Sequence, residues 1–474
     1  MLRVLDPLYG AIDLPDFAKD IVNTPELQRL SEIRLMNVPG PTMIGATTTT
    51  RLEHALGVAH LANICSKQNR LPSIESNNLI LASLIHDVAS YPYGHLVERT
   101  FKRLFPESPD HTERLLRNIY SEKEDLIIYR GAHCQLYKTL LNNRQLFGRM
   151  PILSAGLILG ADVVGNAEDI AYEDLLGRDK AVLINRLISG PIDLDNIDNV
   201  FRIAHRFGIR FDVSIPERLA ASFVFSREVI QMKADELCLL EEWLRIRSLT
   251  YEIFFTHPDI LAMKALLTYC VEESVSDGTL HLEDWVMTDI QLLETFLSLD
   301  RIRQEARQIL LGHELTCLQV FVCDARNIAN LLNELPELRD DIATKITAYD
   351  KRKRKTDKIA NLEREYAVKR LFVTLEYDKG ATSRQFEVEA ISAEGKVKRK
   401  TLGENSNRAF ISIQIPNWYT VSTPNCSDVL RETIGKRIDC PPNKIGCLNG
   451  GQFDLGGKGD SFGKQMLFWI RKNS

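Results

Sequence analysis

A histidine and an aspartate stand side by side at His86-Asp87, at the end of an apolar run over residues 78–85. Within that run Leu81, Leu84 and Ile85 recur at helical spacing, which predicts a helix with one buried face. Neighbouring helical residues point about 100° apart, so the pair can share an ion only near the helix end. Other elements must then complete the shell. Hydrolytic metal chemistry needs three or four nitrogen and oxygen ligands with positions left open for water and substrate. His54, in the preceding helical stretch Arg51-Leu52-Glu53-His54, is the next candidate. A fourth ligand can come from Asp193 or Asp195, or from Glu168-Asp169, and residue type alone does not choose between them.

The elements that must hold these groups read as helices. Thr24-Pro25-Glu26 is a helix start with Thr24 as N-cap and proline at the first helical position. Pro39-Gly40-Pro41 ends that segment. Leu52, Leu56, Ala59 and Ile64 give the His54 helix a core-facing side. Tyr91-Pro92-Tyr93-Gly94 closes one helix and permits another, and Asp110 caps a start at His111. The pattern stays helical to about residue 335. A charged helix over 338–369 is followed by strand-like segments at 371–377, 384–390 and 410–415. The expected fold is mainly α: an all-helical core over 1–335 and a smaller α+β lobe over 336–474.

Charge is uneven along the 474 residues. Residues 351–474 hold 24 Lys and Arg against 14 Asp and Glu, whereas the first 350 hold 35 against 50. A basic lobe behind an acidic body is compatible with nucleic-acid or polyanion contact, although Lys351-Arg352-Lys353-Arg354-Lys355 reads first as a solvated helix face. No apolar run reaches the ~20 residues of a membrane span, and the N-terminus lacks a signal-peptide core. Nine cysteines without paired spacing suit a reducing compartment. The expectation is a cytoplasmic protein without membrane contact.

Val4-Leu5-Asp6-Pro7-Leu8-Tyr9-Gly10, Asn23-Thr24-Pro25-Glu26-Leu27-Gln28-Arg29-Leu30, Arg51-Leu52-Glu53-His54 and His86-Asp87 occur in a specific order. Together they resemble the HD-domain phosphohydrolases, in particular the branch of the SAM-and-HD-domain deoxynucleoside triphosphate triphosphohydrolase and its bacterial relatives. Ile192-Asp193-Leu194-Asp195, continuing to Phe207-Gly208-Ile209, resembles the last motif of that branch, so the resemblance makes Asp195 the fourth ligand beside His54, His86 and Asp87. It further implies a divalent cation (Mg, Mn, Fe or Zn), a nucleotide substrate, and a homo-oligomer, dimer or tetramer. His95 falls at the family's acid position. Glu98 and His111 fall at a supporting carboxylate–histidine pair, and Arg51 at a phosphate-binding arginine.

The substrate-reading positions depart from that pattern. Ser90 stands where the branch has a second histidine. Asn196 replaces a phosphate-binding lysine, Asn199 a sugar-packing tyrosine, Ile203 an aspartate, and Leu35 a glutamine. His257 falls at an arginine position. At the nucleotide-activation site Gln28 is kept, while Asn23 and Ser31 replace its charged companions. The sequence therefore points to a metal-dependent nucleotide phosphohydrolase with an altered pocket. The alternative is a nucleotide-sensing or nucleic-acid-binding HD-domain protein with weak or no catalysis. Other motif matches fail on context. Gly459-Asp460-Ser461-Phe462-Gly463 lacks the preceding strand of a nucleophile elbow. Gly456-Gly457-Lys458 lacks the spacing of a phosphate loop. Cys426, Cys440 and Cys447 are too widely spaced for a zinc site.

Overall fold

The computed structural model describes residues 1–38, 47–109, 111–115, 126–147, 185–190, 192–225, 230–311, 315–324, 372–377, 385–404, 408–416 and 445–446. The Glu168-Asp169 alternative, the charged helix expected over 338–369, and the glycine-rich and cysteine motifs beyond residue 425 fall outside the described residues. The chain divides into two compact units. One holds residues 1–252, 267–310 and 381–405; the other holds 253–266, 311–380 and 406–474.

The first unit opens on an antiparallel hairpin, β1 (Leu2–Asp6) and β2 (Gly10–Leu14), within the region expected to be all-helical. Helices α1 (Phe17–Val22) and α2 (Pro25–Arg29) follow, the latter with Pro25 at its first position as expected. Helix α3 (Arg51–Gln68) begins with a capping box: Thr50 accepts from the Glu53 N–H, and Glu53 accepts from the Thr50 N–H. Helix α4 (Ser73–Ile85) buries every residue from Asn78 to Ile85, because it runs through the core rather than along its surface. Helix α5 (Gly94–Leu104) starts from a left-handed Tyr93 (φ 53°). The short α6 (His111–Arg114), α7 (Leu194–Arg206), α8 (Ile215–Ser222), α9 (Leu237–Thr256) and α10 (Asp289–Ser298) follow. Helix α3 is the hub and packs against α4, α7 and α8.

The same unit contains a short antiparallel pair, β3 (Ile127–Tyr129) and β4 (Ala132–His133), and a four-stranded sheet in the order β10 (Val397–Leu402), β9 (Phe386–Ile391), β6 (Ile230–Lys233) and β5 (Phe223–Phe225). Strand β6 runs parallel to β9, with Met232 opposite Ala390, so strands from both sides of residue 335 share one sheet. Fully buried Trp243 packs edge-on against Phe386. The second unit holds an antiparallel sheet in the order β12 (Ile445–Gly446), β7 (Leu315–Asp324), β11 (Arg408–Pro416) and β8 (Phe372–Tyr377), with Val320 opposite Ser412 and Ile411 opposite Leu375. The segment Leu315–Asp324, read from the sequence as part of the helical region, is therefore a strand. The fold is mainly helical with small sheets, and no helix among the described residues is long and apolar enough to cross a membrane.

Candidate metal centre

Two helices and one helix end bring the expected ligands together. His54 sits one turn into α3, His86-Asp87 directly follow α4, and Asp195 lies in the first turn of α7. His54 Nε2 is 2.8 Å from Asp195 Oδ1 and 3.3 Å from His86 Nε2. His86 Nε2 is 3.6 Å from Asp87 Oδ2 and 3.8 Å from Asp195 Oδ1. One ligand atom each from His54, His86 and Asp87 lies within 4.8 Å of the others. His54, His86 and Asp87 are buried, whereas 34% of the Asp195 side chain is exposed, which gives the cluster one side open to solvent.

The second nitrogen of each histidine is already committed. His86 Nδ1 donates to the Ser83 carbonyl at 2.8 Å, and His54 Nδ1 donates to Asp198 Oδ2 at 2.7 Å. Both contacts leave Nε2 as the lone-pair nitrogen facing the cluster when the rings are neutral. A carboxylate behind a ligating histidine also raises its basicity. This donor set, two such imidazoles and two carboxylates with one open side, fits a divalent cation that keeps positions for water and substrate.

Asp198 was not singled out from the sequence, yet it is the most connected carboxylate of the site. It takes hydrogen bonds from His54, from Tyr9 Oη (2.8 Å) and from both Nε (2.9 Å) and Nη2 (3.0 Å) of Arg202. Arg202 also pairs with Asp6 Oδ2 at 2.8 Å, which ties the β1–β2 loop into the site. Burial alone would raise the Asp198 carboxyl, but the Arg202 and His54 contacts bring it down to about 2. Burial likewise disfavours an imidazolium at His54, but the hydrogen bonds it donates to Asp195 and Asp198 raise it to about 9. Asp87 lies well below the carboxylate range: burial opposes ionisation, and the charges of Arg51 and His86 outweigh it. Gly57 is required by this packing, since a Cβ there would lie 2.0 Å from Asp198 Oδ1 and 2.2 Å from Arg202 Nη2.

Arg51 is buried, pairs with Asp87 Oδ2 through Nη1, and donates to Asn37 at 3.2 Å through Nη2. His95, with 47% of its side chain exposed, uses Nδ1 to contact Glu98 Oε2 at 3.0 Å. The Glu98 Oε1 accepts from Arg114 at 3.2 Å. His111 begins α6, and its side chain is outside the described residues. The turn that launches the His95 helix is held from afar, because Asp289 at the start of α10 accepts from Tyr93 N–H (2.7 Å) and Arg34 N–H (2.9 Å). Among the substrate-shell departures, Ser90 is buried and donates to Asp87 Oδ1 at 3.1 Å. Asn196 accepts from Arg247 Nη1 at 3.1 Å. Arg247 lies over the Trp243 and Tyr251 rings, and its buried Nε has no partner among the described residues.

Residues 51–166, which include His54 and His86-Asp87, match the family described as the HD domain. The chain is 32% identical over 108 residues to the deoxynucleoside triphosphate triphosphohydrolase SAMHD1 of Homo sapiens, covering 21% of this chain and 17% of that protein. With the SAMHD1 of Gallus gallus the figures are 26% over 228 residues, 43% of this chain and 34% of the relative. The matched segments thus span well under half of these relatives. An uncharacterised protein of Bacillus subtilis, YwfO, is 22% identical over 313 residues, covering 61% of this chain and 64% of its own. In fold, the chain resembles a hypothetical protein of Aquifex aeolicus, with TM-score 0.61 and 16% identity over 92% of this chain and 99% of that one. A phosphohydrolase of Bacteroides thetaiotaomicron gives TM-score 0.57 and 16% identity over 87% of this chain and 99% of its own.

Proposed function

We propose that the protein is a metal-dependent phosphohydrolase acting on a nucleotide, related in chemistry to dNTP triphosphohydrolysis but with a different pocket. The observation that carries this reading is the convergence of His54, His86, Asp87 and Asp195 with both histidines oriented from behind. A divalent cation there would lower the pKa of a bound water and polarise a phosphoryl group. The chain's own groups supply the rest. His95, backed by Glu98, would protonate the departing 5′-oxygen. His111 joins that acid group in the same reading. Arg51 holds Asp87 ionised and offers a guanidinium to a phosphate oxygen. Arg247 stands beside Asn196, where the resemblance expects a lysine, and a phosphate oxygen would satisfy its buried Nε.

The test is turnover by the purified chain with Mg²⁺ or Mn²⁺ on a panel of dNTPs, NTPs and cyclic and linear dinucleotides. Phosphate, pyrophosphate and triphosphate are read together. Asp87→Ala should remove activity while leaving the far-UV spectrum unchanged. No turnover of any nucleotide with metal demonstrably bound would sink the reading.

A second reading, nucleotide sensing or nucleic-acid binding with weak catalysis, is favoured by Ser90, Asn196 and Asn199 and by the basic residues beyond 350. It expects salt-dependent binding of DNA or RNA that survives loss of the metal ligands. The proposal includes a homo-oligomer, a cytoplasmic location, and a functional division into a phosphohydrolase region, 1–335, and a basic lobe, 336–474. A monomer by light scattering at micromolar concentration would contradict the first.

A further inference from the structure

The segment that follows His86-Asp87 is gripped by two buried arginines. Helix α4 ends at Ile85, so the carbonyls beyond it have no helical partners and must be satisfied by other groups. Arg29 donates to the Val88 carbonyl (3.3 Å) and the Ser90 carbonyl (2.9 Å), and also to the carbonyls of Trp285, Val286 and Met287. Arg114 donates through Nε to the carbonyl between them, that of Ala89, at 2.9 Å. Three consecutive carbonyls are thus each bound by a guanidinium. Arg114 has a second role that Arg29 lacks. Its Nη2 reaches Glu98 Oε1, and the other oxygen of Glu98 holds His95 Nδ1. Arg114 is 1% exposed, stacks 4.2 Å from the Tyr91 ring centroid, and has its Nη1 on the Pro109 carbonyl, so it has little freedom to reorient.

We infer that Arg114 is a positioning residue that locks the His95–Glu98 pair to the turn carrying His86 and Asp87. It keeps Glu98 as a carboxylate aimed at His95 Nδ1, so that Nε2 is the nitrogen that exchanges a proton with substrate. A guanidinium does this and an ammonium does not, because the role needs donors at fixed angles to two separate oxygens. The inference rests on the hydrolytic reading for its catalytic consequence, but not for its geometry.

The experiment therefore has two arms on the full chain. In the first, Arg114→Gln and Arg114→Lys are assayed with Mn²⁺ on the nucleotide that the wild type hydrolyses best. Arg114→Gln is expected to lower kcat about 10–100-fold, a part of the about 100–10,000-fold that a positioned acid contributes, with KM within threefold and metal content unchanged, and Arg114→Lys to recover less than a tenth of the loss. In the second, ¹⁵N-histidine NMR, with the His95 signals assigned from His95→Gln, reads the imidazole tautomer. The wild type should show a proton fixed on Nδ1. Arg114→Gln should show a tautomer mixture, as should Glu98→Gln, which supplies the same signature if Arg114→Gln does not fold. An unchanged His95 tautomer in the folded variants overturns the inference. A wild type with no turnover and a fixed Nδ1 proton that the variants lose would instead sink the hydrolytic reading and leave the positioning role intact.

Discussion

Asp198→Asn separates the orientation of His54 from the supply of ligands, because Asp198 bonds to a proposed ligand, His54, without being proposed as one. Its two oxygens accept four hydrogen bonds, from His54, Tyr9 and twice from Arg202. An amide has a single oxygen. If that oxygen keeps His54 Nδ1, the NH₂ faces the Tyr9 hydroxyl, which can rotate to accept, and Arg202 Nη2, which cannot. If the amide is flipped, it donates to His54 Nδ1 and drives the ring proton onto Nε2, the nitrogen that must face the metal. Removing one partner of a buried ion pair costs about 3–5 kcal/mol, and Asp6 still holds Arg202, so the lower end is expected. Loss of an outer-shell partner lowers metal affinity about 10–100-fold, which is about 1.4–2.7 kcal/mol. Urea unfolding in EDTA reads the first quantity, and calorimetric titration with Mn²⁺ at pH 7.5 reads the second. A folded Asp198→Asn protein that binds Mn²⁺ within threefold of wild type would refute the orienting role. Unchanged stability without metal would refute the four-bond reading of the carboxylate.

Three further outcomes follow from the same geometry. His54 titrates near 9 without metal, and a ligating nitrogen must be unprotonated, so Mn²⁺ uptake at pH 7.5 should release about one proton. Titrations in two buffers of different ionisation enthalpy measure this, and zero release contradicts it. Because its folded pKa is raised, the stabilisation His54 gives the metal-free protein is fully present below about 6.5 and is lost as pH rises through about 9. Gly57→Ala should destabilise the protein by at least the ~1–3 kcal/mol typical of overpacking, although alanine in a helix interior ordinarily gains about 1 kcal/mol over glycine. A thermal shift of the opposite sign would show that Asp198 and Arg202 do not crowd that position.

How much of this was legible beforehand depends on how local each relation is. Helix α3 announced itself through apolar spacing, and α2 through Thr24-Pro25, because those signals lie within one or two turns. His54, His86, Asp87 and Asp195 were readable as a set only through the order of their motifs, since nothing in the spacing of 32 and 141 residues implies contact. Asp198 carried a usable sign, lying three residues after Asp195 and four before Arg202, the spacings that place side chains on one helix face. Arg114 carried none. A lone arginine in a short polar segment gives no hint that it will be 1% exposed beneath Tyr91. Strand β7 was hidden for a related reason. Its partner β11 lies about 90 residues further along the chain, and an apolar run of ten can be helix or strand until its partner is known.

The departures around the site become intelligible on α7 itself. At about 100° per residue, Asp195, Asp198 and Arg202 fall on one stripe, which is the stripe that meets His54 and Asp6. Asn196, Asn199 and Ile203 fall on the adjacent stripe, and Asn196 meets Arg247 there. The position proposed as a metal ligand, with the residues that back it, and the positions where the resemblance expects substrate contacts are thus neighbours in sequence but lie on adjacent stripes. On the proposed reading, substitutions on the second stripe can change what faces the substrate without replacing Asp195, Asp198 or Arg202. Exchanging only the second stripe, for example Asn196→Lys with Asn199→Tyr, should alter nucleotide preference at unchanged metal affinity.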